Sequence, residues 1–281
     1  MQEEGLRLGD WIRQAAATVG GAAARLEVEV LAGHALGLSR ARLYASLRDP
    51  LSDGELALLA ELLARRIEGW PVAYLTGVRE FWSLPLYVSP DVLIPRADTE
   101  TLVEAALTAL AGRKAPRVLD LGCGSGAIAL SIRQVRRDAT VVAVDISAAA
   151  LAVAADNAER LGLALDLRRG SWFDAIGAEE RFELIVANPP YLADNDPHLQ
   201  EGDLRFEPRG ALVAAEEGLA DLAAIIRGAP AHLQPGGVLW LEHGATQGAA
   251  VRERLIARGF RAVVTRTDLE ARERISGGTW I

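Results

Sequence analysis

The sequence predicts an α/β fold: a Rossmann-like domain on a mixed seven-stranded sheet, with a helical N-terminal domain and a β-hairpin linker. Two observations carry this. From about residue 100 onward, short apolar runs alternate with helical stretches, the pattern of a largely parallel sheet covered by helices on both faces. Before about residue 75, apolar residues recur at helical spacing instead. The predicted division is therefore a helical domain over 1–75, a hairpin linker over 76–99 and an α/β domain over 100–281.

In the helical part, Asp10 can cap a helix that begins at Trp11 and buries Ile12, Ala15, Ala16 and Val19. A second stripe runs through Leu26, Val30, Leu31 and Ala35. Ser52 and Glu55 form a capping box, each side chain meeting a free amide at a helix start. Leu56, Leu59, Leu63 and Ile67 follow at helical spacing, and Gly69 and Pro71 stop that helix. FWSLPLYVSP alternates large apolar residues with turn formers, as a short hairpin does. RVLDLG, TVVAVD, LALDLRR, FELIVAN and GVLWLEH read as five buried strands, and FRAVVTR and RISGGTWI as two more. Residues 191–215 show no clear period.

Composition narrows the function classes. The chain has 281 residues, 50% hydrophobic and 24% charged, which is globular. The single cysteine, Cys123, allows no internal disulfide and fits a reducing cytoplasm. The first residues carry Glu3 and Glu4 where a secretory leader would be basic, and no apolar run reaches the length of a membrane span. A net charge of −8 argues against stable nucleic-acid binding. His34, His198, His232 and His243 are scattered and suggest no metal site.

Two loops carry chemistry. The first strand ends in Asp120-Leu121-Gly122-Cys123-Gly124-Ser125-Gly126 before a helix. Glycines there allow a tight turn and let a ligand lie against the main chain. The spacing is G-x-G-x-G, not the G-x-G-x-x-G of dinucleotide binders. With the acidic Asp120 before it, this favours S-adenosylmethionine, whose ammonium can pair with an acid. Asp145 closes the second strand, where an acid can accept both ribose hydroxyls. Cys123 reads as a small loop residue rather than a nucleophile.

The fourth strand ends in Asn188-Pro189-Pro190-Tyr191. An amide or aromatic amine nitrogen is a weak nucleophile because its lone pair is delocalised. Oxygens aimed at its two N–H bonds position it and favour the charge that develops on transfer. The Asn188 side-chain carbonyl and the Pro189 backbone carbonyl are the candidate acceptors. The prolines stiffen the loop, and Tyr191 can stack on a planar group. A rigid turn after a strand is the bland alternative.

Together these residues resemble the HemK family of methyltransferases, which act on the glutamine side-chain amide in the Gly-Gly-Gln motif of peptide chain release factors. TGVREFWSLPLYVSPDVLIPRADTE (76–100), SWFD (171–174), DPHLQEGDLRFEP (196–208) and LEHGATQG (241–248) are similar to further segments of that family. The resemblance implies a class I methyltransferase fold, S-adenosylmethionine as methyl donor and release factors as protein substrate. It assigns Gly122 to Gly126, Asp145, Trp172 and Asn188 to the cofactor, and Asn188 to Tyr191 to the glutamine amide. Arg96, Thr99 and Glu100 would lie near the site, with plain helix capping as the alternative for Thr99. Glu207 and Pro208 would shape the acceptor pocket or only turn the chain. Ala97 and Ser171 depart from the family pattern, which usually has Pro and often an acid there. The same chemistry on a ribosomal protein glutamine or a nucleic-acid amine is the nearest rival, and a cofactor-binding module without catalysis the more distant one.

Overall fold

The computed structural model describes residues 5–281; Glu3 and Glu4, read against a leader, lie outside it. The chain forms two compact units. The first comprises residues up to 77 together with 200–206, and the second comprises 78–199 and 207–281. The hairpin segment therefore clusters with the α/β unit, not as a separate linker.

The first unit is helical: α1 (Leu8–Val19), α2 (Ala24–Ala35), α3 (Arg40–Ala45), α4 (Asp53–Ile67) and α5 (Val72–Thr76). α1 starts before the predicted cap. Arg7 is its N-cap, Leu8 is already buried, and Asp10 pairs with Arg13 instead. In α2 the buried stripe is Val28, Leu31 and Ala32, while Leu26 and Val30 are exposed. Leu31 of the expected stripe is buried, but the buried face centres on Val28 and Ala32 rather than on Leu26 and Val30. The Ser52–Glu55 capping box is present in full, and behind it Leu59 is buried while Ile67 is exposed. Gly69, at φ +99°, lets the chain turn where the Arg205 guanidinium lies against it. Trp70 packs on Phe206 with ring centroids 5.0 Å apart, so 200–206 joins this unit through side-chain contact.

The second unit opens with the antiparallel pair β1 (Val78–Phe81) and β2 (Leu84–Tyr87). Its two-residue turn, Trp82-Ser83, has φ of 51° and 60° without any glycine. Such a turn matches the strand twist but strains L-residues. The Glu100 carboxylate accepts from the Trp82 amide at 3.0 Å and Glu80 from the Ser83 amide at 2.6 Å, offsetting the strain.

A seven-stranded mixed sheet follows, built of β3 (Arg117–Leu121), β4 (Thr140–Asp145), β5 (Asp166–Arg169), β6 (Phe182–Ala187), β7 (Leu233–Glu242), β8 (Arg261–Thr267) and β9 (Glu273–Thr279). Its order is β5-β4-β3-β6-β7-β9-β8, parallel from β5 through β7 and antiparallel at β9 and β8. This is the class I methyltransferase architecture. Alternation along the strands sorts the core. Val118, Leu184 and Val186 pack with α6 (Glu100–Ala109), α7 (Ala127–Val135) and α8 (Ala148–Leu161). Leu119, Leu121 and Ile185 pack with α9 (Ala220–Gly228) and α10 (Gly248–Arg258). Residues 191–215 hold three short 3-10 turns, as their lack of period implied. Among the described residues, no helix is long and apolar enough to cross a membrane.

Candidate active site

The parallel strands deliver their loops to one edge, where a cavity of about 380 Å³ opens. Gly122, Cys123, Gly124 and Ser125 form one wall. Gly122 and Cys123 donate to the Val144 carbonyl at 2.8 and 3.0 Å, tying the loop to β4. Gly124 donates to the Asp145 carboxylate at 2.9 Å, and the other Asp145 oxygen accepts from the Ser147 amide at 2.9 Å. Each oxygen of Asp145 thus keeps a free lone pair while the carboxylate is held rigid on the wall. A Cβ built at Gly124 would meet nothing within 4 Å, so this backbone faces open space. Burial pushes the Cys123 thiol well up, which suits a small loop residue and not a nucleophile.

Asp120 is placed differently from the expectation. It shares strand parity with Val118, so it points toward α7 and is fully buried. One oxygen accepts from the Ala129 amide at 3.1 Å and the other has no partner. Burial raises its carboxyl to about 7. Asp120 is not on the cavity wall; it anchors the first turn of α7. Gly126 is also off the wall. At φ +82° it is the N-cap of α7, and a Cβ there would lie 3.2 Å from Leu130 and 3.3 Å from Ala154.

The end of β5 contributes Gly170, Ser171 and Trp172. Trp172 sits at φ 46° and bonds to Asp221, whose carboxyl burial raises and Trp172 holds down. Asp221, Val92 and the exposed Ile146 also line the cavity. No sequence pattern marks these three, because segments far apart in the chain bring them together.

At the end of β6, Asn188 and Pro190 line the cavity, whereas Pro189 and Tyr191 do not. Asn188 Nδ2 donates to Thr99 Oγ1 at 3.3 Å. Thr99 thus partners Asn188 rather than capping a helix; it makes no side-chain cap to α6. Tyr191 packs into the core behind the wall, so the expected stacking in the cavity is not seen. Its hydroxyl donates to Glu242 Oε1 at 3.4 Å, and its carbonyl accepts from Gln247 Nε2 at 3.0 Å. A Cβ at Gly218 would lie 2.0 Å from that carbonyl, so only glycine admits the close approach. Arg96 lines the cavity and pairs with Glu207, whose side chain is fully buried. Pro208 is on the wall, and Glu100 holds the hairpin turn instead. Buried Asn157 bonds to Tyr87 and to the Ser125 carbonyl, linking hairpin and loop.

Residues 10–77 match the PrmC N-terminal domain, and residues 97–202 match the methyltransferase small domain. A release factor glutamine methyltransferase of Bordetella pertussis is 55% identical over 254 residues, covering 90% of this chain and 94% of its own. The chain belongs to the release factor glutamine methyltransferase family. The Escherichia coli member is 45% identical over 272 residues, covering 96% of this chain and 98% of its own. Beyond the family, the fold is shared with a Pyrococcus furiosus methyltransferase at a TM-score of 0.53, with 18% identity over 78% of this chain and 98% of that one. A T. thermophilus 16S rRNA methyltransferase, solved with AdoMet and guanosine, gives 0.55, with 22% identity over 73% of this chain and 50% of that one.

The methyl donor of this methyltransferase is S-adenosylmethionine. The cavity fits it. Asp145 offers two fixed acceptors to vicinal hydroxyls, Gly124 leaves its backbone bare, and Trp172, Ile146 and Val92 give apolar surface for a planar base.

Proposed function

We propose that this chain methylates the side-chain amide nitrogen of the glutamine in the Gly-Gly-Gln motif of peptide chain release factors, with Asn188 holding the acceptor. The observation that carries this reading is the orientation of Asn188. Its Nδ2 is spent on Thr99 while the side chain lines the cavity. Oδ1 is then the atom left to accept an N–H of a substrate amide.

S-adenosylmethionine supplies a methyl group on a positively charged sulfur. The chain's own residues must hold the acceptor nitrogen and keep it from turning. An aimed carbonyl oxygen fixes one N–H and becomes a stronger acceptor as that nitrogen turns cationic. The backbone carbonyl of Pro189, the expected second acceptor, does not line the cavity, so Asn188 is the acceptor that the geometry supplies, on a loop that two prolines stiffen. No strong base is required, since a cationic amide nitrogen gives up its proton readily to water. Asp145, Gly122 to Ser125 and Trp172 hold the donor. The nitrogen gains one methyl and loses one proton.

The test is transfer of labelled methyl from S-adenosylmethionine to unmethylated release factor, read by peptide mass spectrometry. One added methyl on the Gly-Gly-Gln glutamine is expected. Asn188→Ala should lower kcat by about 10²–10³ while S-adenosylmethionine still binds. No transfer by the wild type would send the search to other amide or amine acceptors.

A further inference from the structure

The loop Asn188-Pro189-Pro190-Tyr191 cannot be pinned through its own middle. Pro189 and Pro190 carry no amide hydrogen, so neither offers a donor to the rest of the fold. They also fix φ at two successive positions and restrict the residue before each, so a turn at Tyr191 passes on to Asn188 rather than being absorbed. The loop is fastened instead at the peptide unit that joins Tyr191 to Leu192. Its N–H donates to the Leu212 carbonyl at 2.9 Å, and its carbonyl accepts from Gln247 Nε2 at 3.0 Å. The Tyr191 hydroxyl is a looser tie, 3.4 Å from Glu242 on a rotatable side chain.

Gln247 immediately precedes α10 and spends its amide on main chain. Oε1 accepts from the Gly244 amide at 2.9 Å, while Nε2 donates to the Tyr191 carbonyl and, at 3.3 Å, to the Glu217 carbonyl. Backbone groups have fixed polarity, so the amide admits one orientation: the N–H needs its oxygen, and the two carbonyls need its two hydrogens. Glu216, Glu217 and Gly218 run at φ 54°, 55° and 84°, a left-handed turn that is costly for the two glutamates. That turn brings Gly218 against the same Tyr191 carbonyl. It then leads into α9, whose Asp221 is on the cavity wall. Backbone held in this region is concentrated where a site must be preorganised.

Resting on the reading above, we infer that Gln247 is a positioning residue for methyl transfer: its side-chain amide clamps the acceptor loop through the Tyr191 carbonyl and so keeps Asn188 aimed at the substrate amide. Without it the carbonyl is free to turn, Pro190 shifts on the cavity wall and Asn188 Oδ1 loses its aim. Asp145 and the glycine loop still hold the donor.

Two variants test this. Gln247→Met keeps the volume and removes every hydrogen bond of the amide. Gln247→Glu keeps an oxygen for Gly244 but presents only acceptors to the two carbonyls until its carboxyl takes a proton. The measurements are kcat, KM for unmethylated release factor, the Kd of S-adenosylmethionine, melting temperature and amide exchange at Leu192, at pH about 5.5 to 8.5. Gln247→Met should lower kcat about tenfold with KM and Kd within about twofold, and speed Leu192 exchange about fivefold or more. Gln247→Glu should be at least as impaired at pH about 8.5, and its kcat relative to Gln247→Met should rise about threefold or more by pH about 5.5. Glu217 on the turn, His243 on the Gly244 carbonyl and the Arg252–Glu273 pair beside Gly248 are common to both variants, so that ratio isolates the introduced carboxyl. Wild-type kcat with unchanged Leu192 exchange in Gln247→Met would overturn the inference. So would equal losses of kcat, Kd and melting temperature with a flat ratio, which mark a packing role. An inactive wild type would overturn the substrate reading, and Leu192 exchange alone then decides whether Gln247 holds the loop.

Discussion

Glycines of one loop do different work, and their substitution separates fold from binding. Gly124 and Gly126 both have positive φ, which costs an L-residue about 1–2 kcal/mol. At Gly126 a methyl would also press on Leu130 and Ala154, both packed in the core. Gly126→Ala should therefore lose about 2–3 kcal/mol in urea denaturation. Gly124→Ala should lose only the backbone share, but its methyl projects where the donor would lie, so the Kd of S-adenosylmethionine should rise about tenfold. Equal stability losses with equal affinities in the two variants would sink the distinction. These roles were partly legible in the sequence, since the glycine spacing placed the loop. The meeting of Thr99 with Asn188 was not, because the two lie 89 residues apart in the chain and only the fold brings them together.

Strand alternation explains an element that the sequence left misplaced. Asp120 was expected at the ligand, yet its parity with Val118 turns it under α7, where it meets the Ala129 amide. The period of two was available in RVLDL, but proximity to the glycine loop hid it. The consequence is a pH-dependent anchor. The carboxyl ionises near 3.8 when unfolded and is raised to about 7 by burial when folded. Protonated Asp120 is thus compatible with the fold, and its contribution is complete below about 3.8 and lost as pH rises toward 7. The shift corresponds to at most about 4 kcal/mol. Asp120→Asn keeps an oxygen for the Ala129 amide and removes the titration. Its stability relative to wild type should rise between pH about 4 and about 7 by some fraction of that value, read from urea midpoints. Parallel pH profiles would refute the anchor. Elsewhere at this scale, the Ser52–Glu55 box was readable because capping is local chemistry. The buried face of α2 was not, because a stripe through Val28, Leu31 and Ala32 has the same period as the one through Leu26 and Val30.

For the whole molecule, the division into two units predicts that donor binding can be separated experimentally from acceptor choice. All seven strands were legible, as apolar runs between turns, and so was the helical character of the first unit. The return of 200–206 to that unit was not, because Phe206 meets Trp70 across more than a hundred residues of sequence and no local pattern announces it. Every residue that lines the cavity belongs to the second unit. Its core of two clusters on either side of the sheet contains no residue from the first. A chain of residues 78–281 should therefore bind S-adenosylmethionine with a Kd within about threefold of the full chain. Its 200–206 segment would lack Trp70 and the other first-unit partners, which exposes Phe206 and favours association at high concentration. Methylation of release factor should fall much further than donor binding if the helical unit selects the acceptor, because kcat/KM then loses binding energy that the cavity does not supply. Calorimetry with S-adenosylmethionine and labelled-methyl transfer on the same preparation decide it. Retained Kd with lost kcat/KM supports the division, whereas joint loss of both would show that the α/β unit depends on the first for its fold, and full activity would leave acceptor choice wholly within the second.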